Sequence, residues 1–202
     1  MAHQALIERR PWLLASIIAA SAYYVLSDNP VFEGLWGLIA KGSAVGLLAI
    51  YVLLRVPAGR HRADGLLLAG ALALAAAGDV AIELDFRAGG AFFAAAHVVA
   101  VVLYLRNRHP RPSPMQKLIG AGLLVATPLV SWLLSARSEA AIYALFLGAM
   151  AATAWMSHYP RYRVGSGAVL FVVSDWLIFA RMGAFDLAPL PDLLIWPLYY
   201  AG

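Results

Sequence analysis

Leu72-Ala-Leu-Ala-Ala-Ala-Gly-Asp79-Val-Ala-Ile82 lies inside the apolar stretch Ala63–Leu84, and a second stretch, Val169-Leu-Phe-Val-Val-Ser-Asp175-Trp-Leu-Ile-Phe179, has the same character. Each is long and apolar enough to belong to a membrane-spanning helix, and each carries one acid near its middle. A carboxylate in the middle of a bilayer costs roughly 2.5–3.5 kcal/mol on insertion scales, so such acids face a polar interior, a cation or each other. These two residues decide both the fold class and where to look for chemistry.

The composition agrees. The chain is 62% hydrophobic and 13% charged, with a mean hydropathy of +0.76; soluble domains carry about 25% charged residues. There is no cysteine, which excludes disulfides and thiol chemistry. Apolar runs of roughly 15 to 22 residues suit bilayer-spanning helices. Eight are read: Trp12–Ser27, Gly34–Val56, Ala63–Leu84, Gly89–Leu105, Met115–Ser135, Glu139–Met156, Gly165–Met182 and Ala188–Gly202. Pro, Arg, Asp and Gly fill the short connections. The expectation is an all-α, polytopic membrane bundle of about eight transmembrane helices in a single domain, 1–202. The first helix follows Arg9-Arg10 and reads as a retained anchor rather than a cleaved signal.

Basic residues set the orientation. With a cytoplasmic N-terminus, eleven fall inside (Arg9, Arg10, Arg55, Arg60, Arg62, Arg106, Arg108, Arg111, Lys117, Arg161 and Arg163) and three outside (Arg87, Arg137 and Arg181). Asp28, Glu33, Asp85, Asp186 and Asp192 fall in or beside outer loops. The net charge of +4 reports topology and contact with anionic lipid heads, not a nucleic-acid partner. The expected location is a bacterial inner membrane.

Counting along the helices places Lys41, Asp79, Glu83 and Asp175 in the middle-to-outer half of the membrane, and His97 near mid-depth. The expectation is one polar cavity that both aspartates face, with Lys41 near at least one. Plainer readings stand beside it. Lys41 neutralises Asp79 or Asp175 as a buried pair; Glu83, one turn beyond Asp79, snorkels to the interface; His97 is a packing residue. A lone intramembrane His with scattered carboxylates lacks a zinc ligand set, so no metal is expected. Gly42-Ser-Ala-Val-Gly46 reads as helix packing. Gly78-Asp79 and Ser174-Asp175, four helices apart, hint at a parallel repeat.

In this order the motifs resemble those of the lysoplasmalogenase family, the YhhN-like multi-span membrane proteins. They are Lys41, Gly78-Asp79, Gly89 with Phe93 and His97, Gly167-Ala168-Val-Leu-Phe171-Val-Val-Ser174-Asp175, and Tyr199-Tyr200. The chain departs from the pattern in having Gly42 where the family has Pro, and Ala100 where it has Tyr. The family continues past Tyr-Tyr with a Gln, and no role for that residue is carried over. The resemblance implies cleavage of the vinyl ether bond of a lysoplasmalogen, a lysophospholipid, to a fatty aldehyde and a glycerophospho-alcohol.

The residue chemistry suits that reaction. A vinyl ether hydrolyses by protonation at its β-carbon, and the resulting oxocarbenium ion takes up water. Two carboxyl groups in a low-dielectric site can divide the work, one delivering the proton while the other steadies the cation or activates water. Asp79 and Asp175 are assigned jointly. Lys41 would hold an acid ionised or bind phosphate; His97, Ser174, Tyr199, Tyr200 and Glu83 would orient acids, water or substrate. No cofactor is required. The alternatives are a proton-coupled transporter and a lipid-binding membrane protein without catalysis. Substrate is expected to enter from the outer leaflet, between loops at Asp28–Glu33, Asp85–Arg87 and Asp186–Asp192, with packed side chains closing the side towards Arg60 and Arg108.

Overall fold

A computed structural model describes the backbone of residues 2–27, 29–32, 34–56 and 58–202, and the side chains of these except 2–9, 31 and 60. The sequence expectations for Asp28 and Glu33 lie outside the described residues, and that for Arg60 outside the described side chains. Among the described residues the protein is all-helical, with eight α-helices and an isolated Arg108–Ser157 bridge in place of any sheet. Among the described residues six helical spans, from Leu35–Leu53 to Arg161–Met182, are long and apolar enough to cross a membrane. The chain divides into two compact units, Met1–Val99 and Ala100–Gly202.

In the first unit, α1 (Ala2–Leu26), α2 (Leu35–Leu53) and α3 (Arg62–Leu84) pack in succession, followed by most of α4 (Phe86–Arg106). Helix α1 begins ten residues before the expected Trp12. Ala, Gln, Leu, Glu and Arg favour helix whatever their affinity for lipid, so the helix extends beyond the apolar run read from the sequence. Lipid-soluble helices gain little from hydrophobicity against one another, and small residues that permit close approach take over. Gly42 shows this: a Cβ there would stand 2.6 Å from Val80 Cγ2 of α3. The buried Ser16 hydroxyl fastens α1 to α2 by donating to the Ala44 carbonyl at 2.5 Å.

The α3–α4 corner is one residue. Asp85 is extended, and its Oδ1 accepts the Ala88 N–H at 2.7 Å, which caps α4. Helix α4 therefore starts at Phe86 rather than Gly89, and Phe86 and Arg87 are helical instead of forming the expected loop. Gly89 lets the two helices meet directly after the corner, since a Cβ there would lie 2.5 Å from Ile82 Cβ and 2.6 Å from its Cα.

In the second unit, α5 (Pro114–Ser135), α6 (Ser138–Trp155) and α7 (Ser166–Met182) pack around Leu147, Met150, Ala151, Ala154, Ala168 and Val172, and α8 (Leu190–Ala201) packs against α7. Ser113 and Gln116 form a reciprocal capping box at the start of α5. Thr127, Ser131 and Ser135, all buried on α5, donate to the carbonyls four residues earlier at 2.6–2.7 Å, so their hydroxyls are satisfied within the helix. A π-turn, Arg161–Gly165, leads into α7. Helix α8 has 12 residues, about 18 Å of rise, rather than the fifteen of Ala188–Gly202. Pro189 is its N-cap and Pro191 lies in its first turn, where proline is tolerated, and the helix is shorter than a hydrocarbon core.

Candidate functional site

Both aspartates are buried inside apolar helices: Asp79 on α3 is 2% exposed and Asp175 on α7 is 6% exposed. Each belongs to a different unit and has its own surroundings there.

Around Asp79 the groups come from α1, α2 and α3. The Lys41 ammonium lies 2.5 Å from Glu83 Oε1, and it also interacts electrostatically with the Asp79 carboxylate. Tyr23 of α1 completes the group, with its ring centroid 5.5 Å from Lys41 Nζ. The side chain of Lys41 is 13% exposed and that of Glu83 45%. Lys41 thus takes Glu83 as its ion-pair partner, where the sequence suggested Asp79 or Asp175. Glu83 does more than reach for the interface. Asp79 and Glu83 are i and i+4 on α3 and share a face, which is why one ammonium senses both.

Glycine 78 sets the depth of this face. A Cβ there would stand 3.0 Å from the Phe93 ring of α4, so the ring lies directly on the α3 backbone beside Asp79. His97 is one turn beyond Phe93 and is buried, at 3% exposure. Gly78, Phe93 and Gly89 are thereby explained as contacts that seat α4 on α3.

Around Asp175, three consecutive residues of α7 reach three different helices. Ser174 Oγ donates to the Ile195 carbonyl of α8 at 2.8 Å. Asp175 Oδ2 accepts from the Tyr143 hydroxyl of α6 at 2.7 Å. Trp176 Nε1 donates to the Thr127 carbonyl of α5 at 3.3 Å. Successive helical residues point about 100° apart, so these bonds fix the rotation of α7 about its axis. Ser174, expected to orient substrate, serves here as a tie between α7 and α8. Tyr199 packs edge-on against Phe171 with centroids 5.1 Å apart, and Tyr200 stacks on Trp196 at 6.3 Å. Tyr199 therefore belongs to the aromatic seam between α7 and α8, while Tyr200 stacks within α8. Gly167 and Gly202 close that seam at its other end, a Cβ on Gly167 standing 2.9 Å from the Gly202 carbonyl oxygen.

Two residues escaped the sequence reading. Neither Tyr23, near the end of the first helix, nor Tyr143, in Ala140-Ala-Ile-Tyr-Ala144, carries a local mark. Asp186 accepts from the Ala188 N–H at 3.1 Å, and Asp192, in the first turn of α8, pairs with Arg181. Among the described residues no three His, Asp or Glu side chains gather as metal ligands would.

A family model described as the YhhN family matches residues 36–202, from the start of α2 to the last residue. Nothing matches among curated proteins or among solved structures.

Proposed function

We propose a function from one premise: the chain belongs to the YhhN family, the family of lysoplasmalogenases. It is an integral membrane protein of that family. The proposed reaction is hydrolysis of the vinyl ether bond of a lysoplasmalogen, or of a related lysolipid, within the membrane. The observation that supports it most directly is the pair of buried aspartates in apolar helices, Asp79 and Asp175. Acids inside apolar membrane helices are costly and mark functional sites.

The overall change is addition of water. A carboxyl group gives its proton to the β-carbon of the vinyl ether, and the electrons of the C=C bond form the new C–H bond. The oxocarbenium ion left at the α-carbon is steadied by the second carboxylate, which takes a proton from the attacking water. The hemiacetal then breaks its C–O bond: the second carboxyl returns its proton to the leaving glycerol oxygen while the first takes the hemiacetal hydroxyl proton, which releases a fatty aldehyde and a glycerophospho-alcohol and restores both groups. Asp79 and Asp175 are the candidate carboxyl groups for these roles. Lys41 interacts with Asp79 and supplies a fixed positive charge. His97, buried on α4, orients groups from that side.

Purified full-length protein in lipid nanodiscs, incubated with lysolipids bearing a vinyl ether, a saturated alkyl ether or an ester, tests this. Aldehyde is expected from the vinyl ether lipid alone. No aldehyde from any of them would overturn the hydrolase reading in favour of a carrier or a lipid-binding protein.

A further inference from the structure

A partly buried tyrosine in a membrane helix needs a reason for its hydroxyl. Phenylalanine would pack as well, and a hydroxyl removed from water is costly unless bonded. Tyr143 spends its hydroxyl on Asp175 Oδ2, at 2.7 Å across the α6–α7 contact. Among the described residues, Tyr143 is the hydrogen-bond partner of Asp175.

The phenol is held at two points. Its ring meets Phe179 edge-on, with centroids 6.0 Å apart and planes at 71°. Phe179 is one turn beyond Asp175 on the same face of α7 and is itself buried against Ala140 and Ala144 of α6. Ring and hydroxyl thus grip two residues of one helix face. The Ser174 and Trp176 bonds stop α7 from turning away. A carboxyl held this way has one oxygen engaged and one left over.

The two units match in one respect. In each, the second full helix brings a polar side chain to the aspartate of the third: Lys41 of α2 to Asp79, Tyr143 of α6 to Asp175. The chemistry differs, a charge in one case and an uncharged donor in the other.

We propose that Tyr143 is the positioning residue for Asp175, holding Oδ2 so that Oδ1 is the oxygen presented to the reacting proton. This rests on the vinyl ether reading above. It predicts a defect in the chemical step with substrate binding intact, because the phenol touches the carboxyl and not the lipid.

The test uses full-length wild type, Tyr143→Phe, Asp175→Asn and the double variant. Tyr143→Phe keeps the ring and its Phe179 contact. It is expected to lower kcat by about 10- to 100-fold, the cost of a loosened reacting group, with KM changed less than about twofold. The double variant is expected to be no slower than Asp175→Asn alone. Independently of substrate, infrared spectra of protein carrying ¹³C-labelled aspartate carboxyl groups should show a band lost in Asp175→Asn and shifted in Tyr143→Phe. Should Tyr143→Phe fail to fold, Phe179→Leu loosens the same phenol and should shift the same band. With kcat counted per folded, monodisperse protein, an unchanged kcat in Tyr143→Phe overturns the positioning role and leaves the function standing. An unshifted Asp175 band overturns it as well. A wild type that releases no aldehyde while the band shifts in Tyr143→Phe overturns the vinyl ether reading and supports the Tyr143–Asp175 hold itself.

Discussion

Lys41 and Glu83 join α2 to α3 through an ion pair of 2.5 Å, with Asp79 one turn from Glu83 on the same helix. The ammonium end of this pair is mostly enclosed, while the carboxylate is nearly half exposed. Removing one partner is therefore not equivalent to removing the other.

Lys41→Met should destabilise the protein by about 3 kcal/mol, the low end for breaking a buried pair, because Asp79 loses its cation. Glu83→Gln should cost about 1 kcal/mol or less, as for an exposed ion-pair member. Thermal unfolding in detergent compares them, and equal losses would contradict the asymmetry. In the Lys41→Met background, Glu83→Gln should change little.

Asp79→Asn and Asp175→Asn are each expected to lower vinyl ether hydrolysis by about 10²–10⁴-fold, the usual contribution of an acid–base group. The amide keeps the shape of the side chain and so should leave the protein extractable as a monodisperse species. Aldehyde release and gel filtration on the same preparations check both halves. Near-normal turnover in either variant removes that aspartate from the reaction.

Gly89 and Gly90 form a control pair within one turn of α4. A Cβ at 89 meets Ile82 Cβ, Cα and backbone nitrogen within 2.7 Å, whereas one at 90 meets nothing within 4 Å. Gly89→Ala should cost about 1–3 kcal/mol or more, since backbone cannot step aside. Gly90→Ala should be neutral or stabilising by up to about 1 kcal/mol through helix propensity. Melting temperatures of the two variants should move apart, and a shared shift would refute the close α3–α4 approach.

Ser174→Ala removes the donor to the Ile195 carbonyl from a site with 0% exposure. A loss of about 1 kcal/mol is expected, as for a typical hydrogen bond. Hydrogen exchange of α8 amides should quicken in this variant. Unchanged α8 protection would show that the seam is held by its aromatic rings alone.

Helix existence was legible along the chain because apolar length is a local property and a bilayer has a set thickness. The glycine spacing of α2 was legible for a similar reason, since small residues mark close approach wherever it occurs. Helix ends were less so. The start of α1 was hidden by charged residues that are good helix formers, and the start of α4 by a cap, Asp85, that looked like loop. Asp79 and Asp175 announced themselves by cost alone. Their partners did not: Tyr143 lies 32 residues from Asp175, and Lys41 lies 42 from Glu83.

Composition and spacing by themselves determined that this is a helical membrane protein with acids where acids are expensive, because burial in lipid is read one residue at a time. Which side chain meets which acid depends on how each helix is rotated about its axis and how closely it can approach its neighbour. Those are settled by contacts such as Gly78 on Phe93, Ser174 on Ile195 and Trp176 on Thr127. Only the tertiary structure could therefore give Glu83 to Lys41 and Tyr143 to Asp175, since a turn of 100° exchanges one partner for another.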